Sequence, residues 1–579
     1  MVLFGGSKAF AAAPFAPCTG SQQLLCTQID VPLDRSGTVP GTVSLLVQEL
    51  PADGTPRGVL IMLAGGPKQS GTDAFGLSSP STAQLFRVAF PGYTLATLDV
   101  RGTGKSGALR CPALQNALFL KVEQEATLTA QCATSIGPSR RFYGTRDQAE
   151  DIDAARQALG ADQIAVMGVS YGTQLALTYA ELHPANVERL ILDSVAPPEG
   201  RDPFSLNVIR SLPATLASYC AGGLCRGVTG NFPGELAALA NSIEAKPLRG
   251  SVLTGRGRRT VTMNGEDLLG LTIDADLNPA VQAELPAAVH AARAGNALPL
   301  LRLFYFDSAT QAESADSISI GQFVSTLCTD GPFPWAAGTP VAARGAAISS
   351  AIAALAPGTF GPFGSWAAHL GTASLCQLWP DALGTTLPSA PLPDVPVLTL
   401  TGGLDLRTPA ANAAAVTGRF PHGRLVVVPG VGHSVLTADL SFCAVKSVRL
   451  WLAGGTPPSR CPRVAPLVAP IPAFSSPAGS ARLSRAATLA TAKKVIREAE
   501  ASVLFALFAP SGIGSVPGLY GGMVVHSGTT VRLVQYTDVP GLSLDGTLTI
   551  VFGAGSLLRF KGTVSVSGPR ATPLTFSIA

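Results

Sequence analysis

The segment 164–181, IAVMGVSYGTQLALTYAE, places Ser170 between Gly168 and Gly172. The residues before Ser170 form a short apolar run typical of a strand buried on both faces, and those after it follow a helical pattern. A tight strand-to-helix turn needs small residues around its serine, and it lifts the hydroxyl above the sheet. Gly-x-Ser-x-Gly alone also fits an ordinary polar turn, but this context predicts that Ser170 is a nucleophile.

Similar apolar runs alternate with helix-like segments along the chain. They lie at 58–66, 93–100, 163–170, 187–194, 395–403 and 423–430. Strands that are buried on both faces and separated by helices indicate a parallel sheet. The pattern therefore predicts an α/β fold with a mostly parallel central sheet. Two earlier runs, LLCTQIDVPLD and VSLLVQEL, predict an antiparallel pair at its N-terminal edge.

The domain organisation is predicted from breaks in this rhythm. About 200 residues between the strands near 193 and 395 read mainly as helices and loops, and an insertion there would cap a site at the strand ends. After residue 482 one helix, at 483–508, precedes short glycine-punctuated strands. We therefore predict a residual leader or disordered N-terminus (1–16), an α/β core (17–197 and 390–462), a large mainly helical cap (198–389), a proline-rich linker (463–482) and a C-terminal helix with a small β-rich domain (483–579).

The composition narrows the classes of partner. The net charge is +4 over 579 residues, and the basic residues are scattered, which argues against a nucleic-acid groove. The sequence has no apolar run of about 18 residues, so a soluble chain without a transmembrane segment is expected. Neither a metal nor an organic cofactor is implied. The expected partners are peptides or small molecules.

The ten cysteines favour disulfides between neighbours in the sequence. They lack a close Cys-x-x-Cys pair, and no histidine stands near them at zinc-ligand spacing. Disulfides place the protein in an oxidising compartment, whereas reduced core cysteines are the alternative. The predicted pairs are Cys18–Cys26, Cys111–Cys132, Cys220–Cys225, Cys328–Cys376 and Cys443–Cys461.

A serine nucleophile needs a histidine base and a carboxylate that orients it, and after this type of turn they follow in the order acid, histidine. Of the six histidines, only His433 lies in a glycine-rich loop directly after a late predicted strand. Asp405 follows the preceding strand through a short glycine loop. Asp99 and Asp193 also follow strands, but Asp99 precedes the serine and Asp193 stands where the cap departs. The predicted triad is Ser170, Asp405 and His433.

Two backbone N–H groups are predicted to form the oxyanion hole. One belongs to Tyr171, which directly follows the nucleophile. The other comes from the loop after the first central strand, AGGPKQSG, where we choose Gly66 with Gly65 as the close alternative. Residues without side chains let backbone N–H groups approach a substrate oxygen.

Several motifs together resemble the secreted bacterial α/β-hydrolases of the tripeptidyl aminopeptidase and proline iminopeptidase group. They are GVSYGT, LDVRGTGKSG, FYGTRDQAEDIDAARQALG, GGLDLRTP, GVGHSVL, CTQIDVPLD, LCTDGPFPW and CQLWP, within residues 14–465. The resemblance implies an α/β-hydrolase fold and a serine peptidase that releases short peptides or single residues from a free N-terminus. The group also includes carboxylesterases. One departure is the oxyanion loop, commonly His-Gly-Gly-Pro-Gly, which here reads Ala64-Gly65-Gly66-Pro67-Lys68.

An aminopeptidase must also bind a cationic α-amine, and burying that charge requires a paired carboxylate. The candidates in the predicted cap are Glu199, Asp202 and Asp330, each of which could equally be a surface or capping residue. Asp99 and Arg101, from LDVRGTGKSG, are expected to brace loops near the site by hydrogen bonds.

These observations predict an exported serine hydrolase, either secreted, periplasmic or on the bacterial cell surface. The favoured activity is an aminopeptidase that releases tripeptides or N-terminal residues through an acyl-enzyme. The alternative is a carboxylesterase that acts on short-chain esters with the same triad. The C-terminal β domain is either a module that binds cell envelope or polymer, or a stabilising appendage.

Overall fold

The computed structural model describes residues 14–21, 23–115, 117, 120–254, 257–310, 314–380, 391–466, 468–471, 481–508, 514–552 and 558–578. The chain divides into two units. Unit 1 comprises Met1–Asn207, Ser314–Ala356 and Gly371–Arg463. Unit 2 comprises Val208–Glu313, Pro357–Leu370 and Val464–Ala579.

The strands are β1 (Ala16–Pro17), β2 (Leu25–Pro32), β3 (Thr42–Leu50), β4 (Gly58–Leu63), β5 (Tyr93–Leu98), β6 (Ile164–Val169), β7 (Val187–Asp193), β8 (Leu248–Thr254), β9 (Gly257–Met263), β10 (Val397–Gly402), β11 (Gly423–Val428), β12 (Ser515–Pro517), β13 (Gly521–Ser527), β14 (Thr530–Val539), β15 (Leu542–Phe552), β16 (Leu558–Ser567) and β17 (Leu574–Ile578). The α-helices are α1 (Gly71–Phe75), α2 (Pro80–Ala89), α3 (Val122–Ile136), α4 (Thr145–Ala158), α5 (Tyr171–Leu182), α6 (Leu206–Tyr219), α7 (Phe232–Ala245), α8 (Gly265–Asp274), α9 (Pro279–Arg293), α10 (Leu298–Thr310), α11 (Ile320–Asp330), α12 (Val341–Ala353), α13 (Thr372–Cys376), α14 (Ala410–Thr417), α15 (Val435–Ala438), α16 (Cys443–Leu452) and α17 (Arg485–Phe508).

The described part of unit 1 contains a nine-stranded sheet in the order β1-β2-β3-β5-β4-β6-β7-β10-β11. Strands β5, β4, β6, β7, β10 and β11 are parallel to their neighbours within this run. Strands β1 to β3 are antiparallel and close the N-terminal edge. The mostly parallel sheet and the antiparallel pair at its edge are both confirmed.

The central strands consist mainly of apolar residues because both faces of the sheet are buried. All six residues of β10 are buried, as are five of the six in β6, because both faces of the parallel region are covered. Ile61 packs with Leu175 of α5 on one face, whereas Leu60 packs with Phe86 of α2 on the other. Each such side chain contributes roughly 1.5–3 kcal/mol by leaving water.

The insertion between β7 and β10 is mainly helical, as predicted. Its described residues form helices α6 to α13 and one antiparallel hairpin, β8–β9. Helices α11, α12 and α13 belong to unit 1, whereas α7 to α10 belong to unit 2. Helix α11 is one part of the predicted cap that lies near Ser170, because its Asp330 accepts from Thr145, which contacts Tyr171.

The C-terminal residues of unit 2 form the predicted β-rich region. Strands β12 to β17 make a six-stranded antiparallel meander within the described residues. Helix α17 begins two residues after the predicted start and ends at the predicted residue, Phe508. The fold class is therefore confirmed for both the central sheet and the C-terminal region.

The domain boundaries remain a prediction. The predicted cap contributes to both units, and the predicted C-terminal domain belongs to unit 2 together with part of that cap. Residues 1–13 of the predicted leader, and residues 467 and 472–480 of the predicted linker, lie outside the described residues.

All ten cysteines form the five predicted disulfides, Cys18–Cys26, Cys111–Cys132, Cys220–Cys225, Cys328–Cys376 and Cys443–Cys461. Disulfides persist in oxidising environments, so the pairing fits a protein that functions outside the reducing cytosol. In the portion of the chain that the structure describes, no helix combines the length and apolar character needed to cross a membrane.

A cluster of three buried carboxyl groups lies within unit 2. Glu284 on α9, Glu498 on α17 and Asp538 on β14 bring carboxyl oxygens within 4.8 Å of one another. Burial, and then the charge of Glu284, raise the pKa of Glu498 to about 8. The hydroxyls of Ser502 and Tyr536 donate to Glu498. The folded protein therefore retains protons here that an unfolded chain would release.

This cluster predicts that unit 2 loses stability as the pH rises. Between the usual glutamate pKa and about 8 the unfolded chain releases the Glu498 proton while the folded chain keeps it, so the free energy of unfolding falls. We expect the thermal midpoint to fall from pH 5 to 9, and Glu498→Gln to flatten that decline. The exposed Glu123→Gln is the control. An equal decline in all three proteins would contradict this prediction.

Candidate active site

Ser170 lies between β6 and α5 in a conformation that a non-glycine residue rarely adopts. Its φ is 58° and its ψ is −124°. Such a conformation costs about 1–3 kcal/mol and persists only when its surroundings enforce it. The Ser170 N–H donates to the Asp193 carbonyl at 2.9 Å, which ties the turn to the end of β7. Helix α5 begins at Tyr171, directly after the serine.

The two flanking glycines are required by close backbone approach. A Cβ on Gly168 would lie 2.3 Å from the Gly172 carbonyl oxygen, and one on Gly172 would lie 2.2 Å from the Leu63 carbonyl oxygen. The end of β6, the start of α5 and the end of β4 therefore meet without room for side chains. This packing explains the Gly-x-Ser-x-Gly pattern physically.

His433 and Asp405 form a buried pair. The Nδ1 atom of His433 lies 3.0 Å from Asp405 Oδ2, and the two residues are 4% and 2% exposed. Thr408 donates to the Asp405 carboxylate from its N–H at 2.8 Å and from its hydroxyl at 2.7 Å. Although burial raises the pKa of Asp405, the charge and hydrogen bond of His433 and the bonds from Thr408 lower it overall.

Asp193 connects the serine turn with the histidine loop. Its carbonyl accepts from Ser170, and its buried carboxylate accepts from the N–H groups of Val435 and Leu436 at 2.9 and 2.8 Å. Ser194 accepts from the Ser434 N–H at 2.9 Å. Burial raises the pKa of Asp193 to about 6, whereas these N–H groups and the charge of His433 oppose the rise. Asp193 is thus placed to position the loop that carries His433. In the sequence, this role was indicated only by the location of Asp193 at the end of a predicted strand.

The predicted oxyanion residues lie on either side of the serine. Tyr171 is the first residue of α5, so its N–H belongs to the helix turn whose donors have no intrahelical partner. A Cβ on Gly65 would lie 3.0 Å from the Ser170 Cβ, which places this loop against the nucleophile. The Gly65 N–H donates to Gln69 Oε1 at 3.1 Å. Gln69 thus already engages the Gly65 N–H, and Gly66 stays the predicted second donor.

The three acids predicted to bind the amine have different environments in the structure. Asp330, at the end of α11, is buried and accepts from the Thr145 N–H at 3.0 Å and the Thr145 hydroxyl at 2.5 Å. That hydroxyl lies 2.7 Å from the Tyr171 phenol oxygen. Glu199, in contrast, is exposed and paired with Arg419. Asp202 caps its own turn by accepting from the Phe204 N–H at 2.8 Å.

The environment of Asp330 alters its titration. Burial raises the pKa of Asp330 to about 7, against the opposing effect of the two hydrogen bonds from Thr145. Of the three acids, Asp330 is therefore the one that the structure places beside the residue following Ser170. The sequence analysis missed Thr145, whose hydroxyl contacts both Asp330 and Tyr171. Its only signal in the sequence is its position after Gly144, at the start of α4.

Asp99 and Arg101 have the bonding expected of bracing residues. Asp99 accepts from the Ser70 hydroxyl at 2.8 Å and from the N–H groups of Thr72 and Lys105, each at 2.9 Å. Arg101 is buried and forms a bidentate pair with Asp151, at 2.6 and 2.7 Å. These bonds hold the loops that follow β4 and β5.

Comparisons with known proteins agree with this fold. Residues 58–219 match the family model described as alpha/beta hydrolase fold, and residues 362–461 match the one described as TAP-like protein. Together these matches include Ser170, Asp405 and His433. The fold and the matches define the protein as an α/β-hydrolase, and it is a serine hydrolase.

The chain is similar to several curated proteins. It is 25% identical over 463 residues to YuaR of Escherichia coli, whose name describes it as a hydrolase, covering 75% of this chain and 87% of YuaR. It is 29% identical over 197 residues to the serine protease Hip1 of Mycobacterium tuberculosis, covering 31% of this chain and 37% of Hip1. It is 30% identical over 193 residues to the tripeptidyl aminopeptidase of Streptomyces coelicolor, covering 30% of this chain and 35% of that enzyme. The chain is therefore similar to proteins that include a hydrolase, a serine protease and a tripeptidyl aminopeptidase.

Solved structures also match at low similarity. A thermophilic esterase from Thermogutta terrifontis is 13% identical with a TM-score of 0.31, covering 74% of this chain and 98% of the esterase.

The close packing of the serine turn predicts that adding one methyl group at Gly168 lowers both stability and activity. Gly168→Ala would place Cβ against the Gly172 carbonyl, so we expect a loss of about 1–3 kcal/mol of stability. We also expect about a hundredfold loss of kcat/KM from displacement of the serine. Gly345→Ala is the control, because its Cβ would meet only Gln377 Oε1, at 3.8 Å. Equal activity in the two variants would refute the proposed constraint.

Proposed function

We propose that this protein is an exported serine aminopeptidase that uses Ser170, His433 and Asp405 as its catalytic triad. The observation that carries the proposal is the buried His433–Asp405 pair, joined through Asp193 to the strained serine turn. A hydroxyl is a weak nucleophile without a base, and a histidine beside a buried carboxylate supplies that base.

The proposed mechanism is acyl transfer through an acyl-enzyme. With Nδ1 donating to Asp405, the other ring nitrogen of His433 accepts the Ser170 proton as Oγ attacks the carbonyl carbon. The Tyr171 and Gly66 N–H groups stabilise the oxyanion. His433 then protonates the leaving amine, and water attacks the acyl-enzyme by the same route in reverse.

A peptide substrate is supported by the relatives and by Asp330. The related proteins include a serine protease and a tripeptidyl aminopeptidase, although the matches cover little more than a third of each. Asp330 supplies a buried carboxylate beside Tyr171, as recognition of an α-ammonium group requires. The substrate's free N-terminus would therefore bind near α11, and the acyl fragment would end at Ser170.

Export is supported by the five disulfides. A secreted, periplasmic or cell-surface location would fit them. Binding of cell envelope or polymer by the C-terminal sheet stays a prediction, as does its alternative role as a stabilising appendage. Activity on esters alone would instead support the carboxylesterase alternative.

The triad predicts that turnover depends on Ser170. We expect Ser170→Ala and His433→Gln each to lower kcat by at least about a thousandfold, because neither the nucleophile nor its base can be replaced by a neighbour. The measurement is release of nitroaniline from Ala-Ala-Pro and proline anilides. Ser349→Ala, an exposed serine on α12, is the control. Wild-type turnover in Ser170→Ala would disprove the mechanism.

The proposed amine site predicts a pH dependence of binding. Asp330 must be ionised to pair with an ammonium, so KM for free-amine peptides should fall as the pH rises through about 7. It should rise again where the substrate amine loses its proton, near pH 8. Asp330→Asn should raise KM about tenfold or more and remove the lower limb of this profile. Equal effects on free-amine peptides and on esters without an amine would show that Asp330 has only a structural role.

A further inference from the structure

Arg201 lies against the predicted oxyanion loop. Its Nη2 donates to the Gly66 carbonyl at 3.2 Å, and its guanidinium carbon lies 5.8 Å from the centre of the Phe323 ring. Phe323 belongs to α11, the helix that ends at Asp330. Arg201 is thus held beside the proposed catalytic residues by a backbone carbonyl and an aromatic face.

Two further cations belong to the same neighbourhood. The Lys68 ammonium lies 5.6 Å from the centre of the same Phe323 ring, and Lys68 is one of the two residues, with Ala64, at which the loop departs from the family pattern. Arg407, two residues after Asp405, is close enough to Arg201 for the two positive charges to repel each other.

Arg201 has no carboxylate partner among the described residues. The interactions recorded for its side chain are the Gly66 hydrogen bond, the Phe323 contact and electrostatic effects of Arg407 and Tyr171. A guanidinium carries five N–H donors in a planar fork that matches a carboxylate, and one donor bonds to Gly66. The remaining N–H groups can therefore donate hydrogen bonds to an external anion.

The surroundings of Arg201 make such an anion favourable. Arg201 is accessible to solvent, yet nearby protein atoms desolvate its guanidinium and, with the charge of Arg407, lower its pKa to about 10. It remains charged at neutral pH. A partly desolvated cation beside a second cation costs free energy, and a bound carboxylate offsets that cost.

We propose that Arg201, held against the predicted oxyanion loop, is a specificity subsite that binds a carboxylate of the substrate. This inference rests on the proposed peptidase function and deepens it, because it names the substrate class. The carboxylate is either the C-terminus of a short peptide or an acidic side chain. Asp330 and Arg201 both act electrostatically on the Tyr171 side chain, so a short peptide could present its ammonium to one and its carboxylate to the other.

The test compares kcat/KM within matched pairs of substrates. Ala-Ala-Pro-Ala with a free or amidated C-terminus tests the terminal carboxylate. Ala-Ala-Pro-Asp-amide against Ala-Ala-Pro-Asn-amide tests an acidic side chain. A nitrophenyl ester with or without a distal carboxylate tests the subsite independently of peptide cleavage.

We expect wild-type enzyme to favour the carboxylate member of at least one peptide pair by about tenfold, the strength of a charge-assisted hydrogen bond. Arg201→Gln should bring that ratio close to one, and Arg201→Lys should retain part of it. Arg110→Gln, which removes an exposed arginine paired with Asp316, should leave it unchanged. Salt at 0.5 M should also lower the wild-type ratio, which tests the subsite without any variant.

The outcomes separate this inference from the proposed function. A wild-type ratio near one in every pair, or a ratio that Arg201→Gln leaves intact in a folded protein, would overturn the carboxylate subsite alone. Cleavage of esters but of no peptide would overturn the peptidase function. In that case a charge preference within the ester pair that disappears in Arg201→Gln would still support the subsite.

Discussion

The backbone of Ser170 is the constraint on which the rest of the proposed site depends. A serine at φ 58° and ψ −124° gains nothing locally from that conformation, so the neighbouring elements must impose it. Strand β6 ends at Val169 and α5 begins at Tyr171, so the turn consists of Ser170 alone. The Leu63 carbonyl of β4 lies so close to Gly172 that there is no space for a side chain there. The parallel sheet and its two apolar layers supply the rigidity that holds this turn.

The polar groups around the turn extend that rigidity to the other residues of the proposed triad. Asp193 bonds to Ser170 through its carbonyl and to the histidine loop through its carboxylate, and Thr408 fixes Asp405 in the same manner. Asp330 and Arg201, the two groups proposed for substrate recognition, act with opposite sign on the Tyr171 side chain. The proposed site would fit a small zwitterionic peptide better than a neutral ester.

The sequence predicted the elements whose signal is local. Apolar runs marked the strands, and Ser170, Asp405 and His433 could be located because each follows such a run. The cysteines paired with their neighbours in the sequence, as predicted. Contacts between distant segments carry no such signal. The bond from Thr145 to Asp330 joins residues 185 positions apart, and Arg201 meets Gly66 across 135 positions. Glu199 and Asp330 were therefore equivalent in the sequence, whereas the structure exposes one and buries the other beside Tyr171.

The central claim is that His433 and Asp405 activate Ser170, and covalent labelling tests it most directly. The folded protein would be treated with a fluorophosphonate, digested, and mapped by mass spectrometry. The account predicts one modified site, Ser170, with labelling slowed strongly in His433→Gln and Asp405→Asn. Labelling at another residue, or equal labelling rates in wild type and His433→Gln, would contradict it.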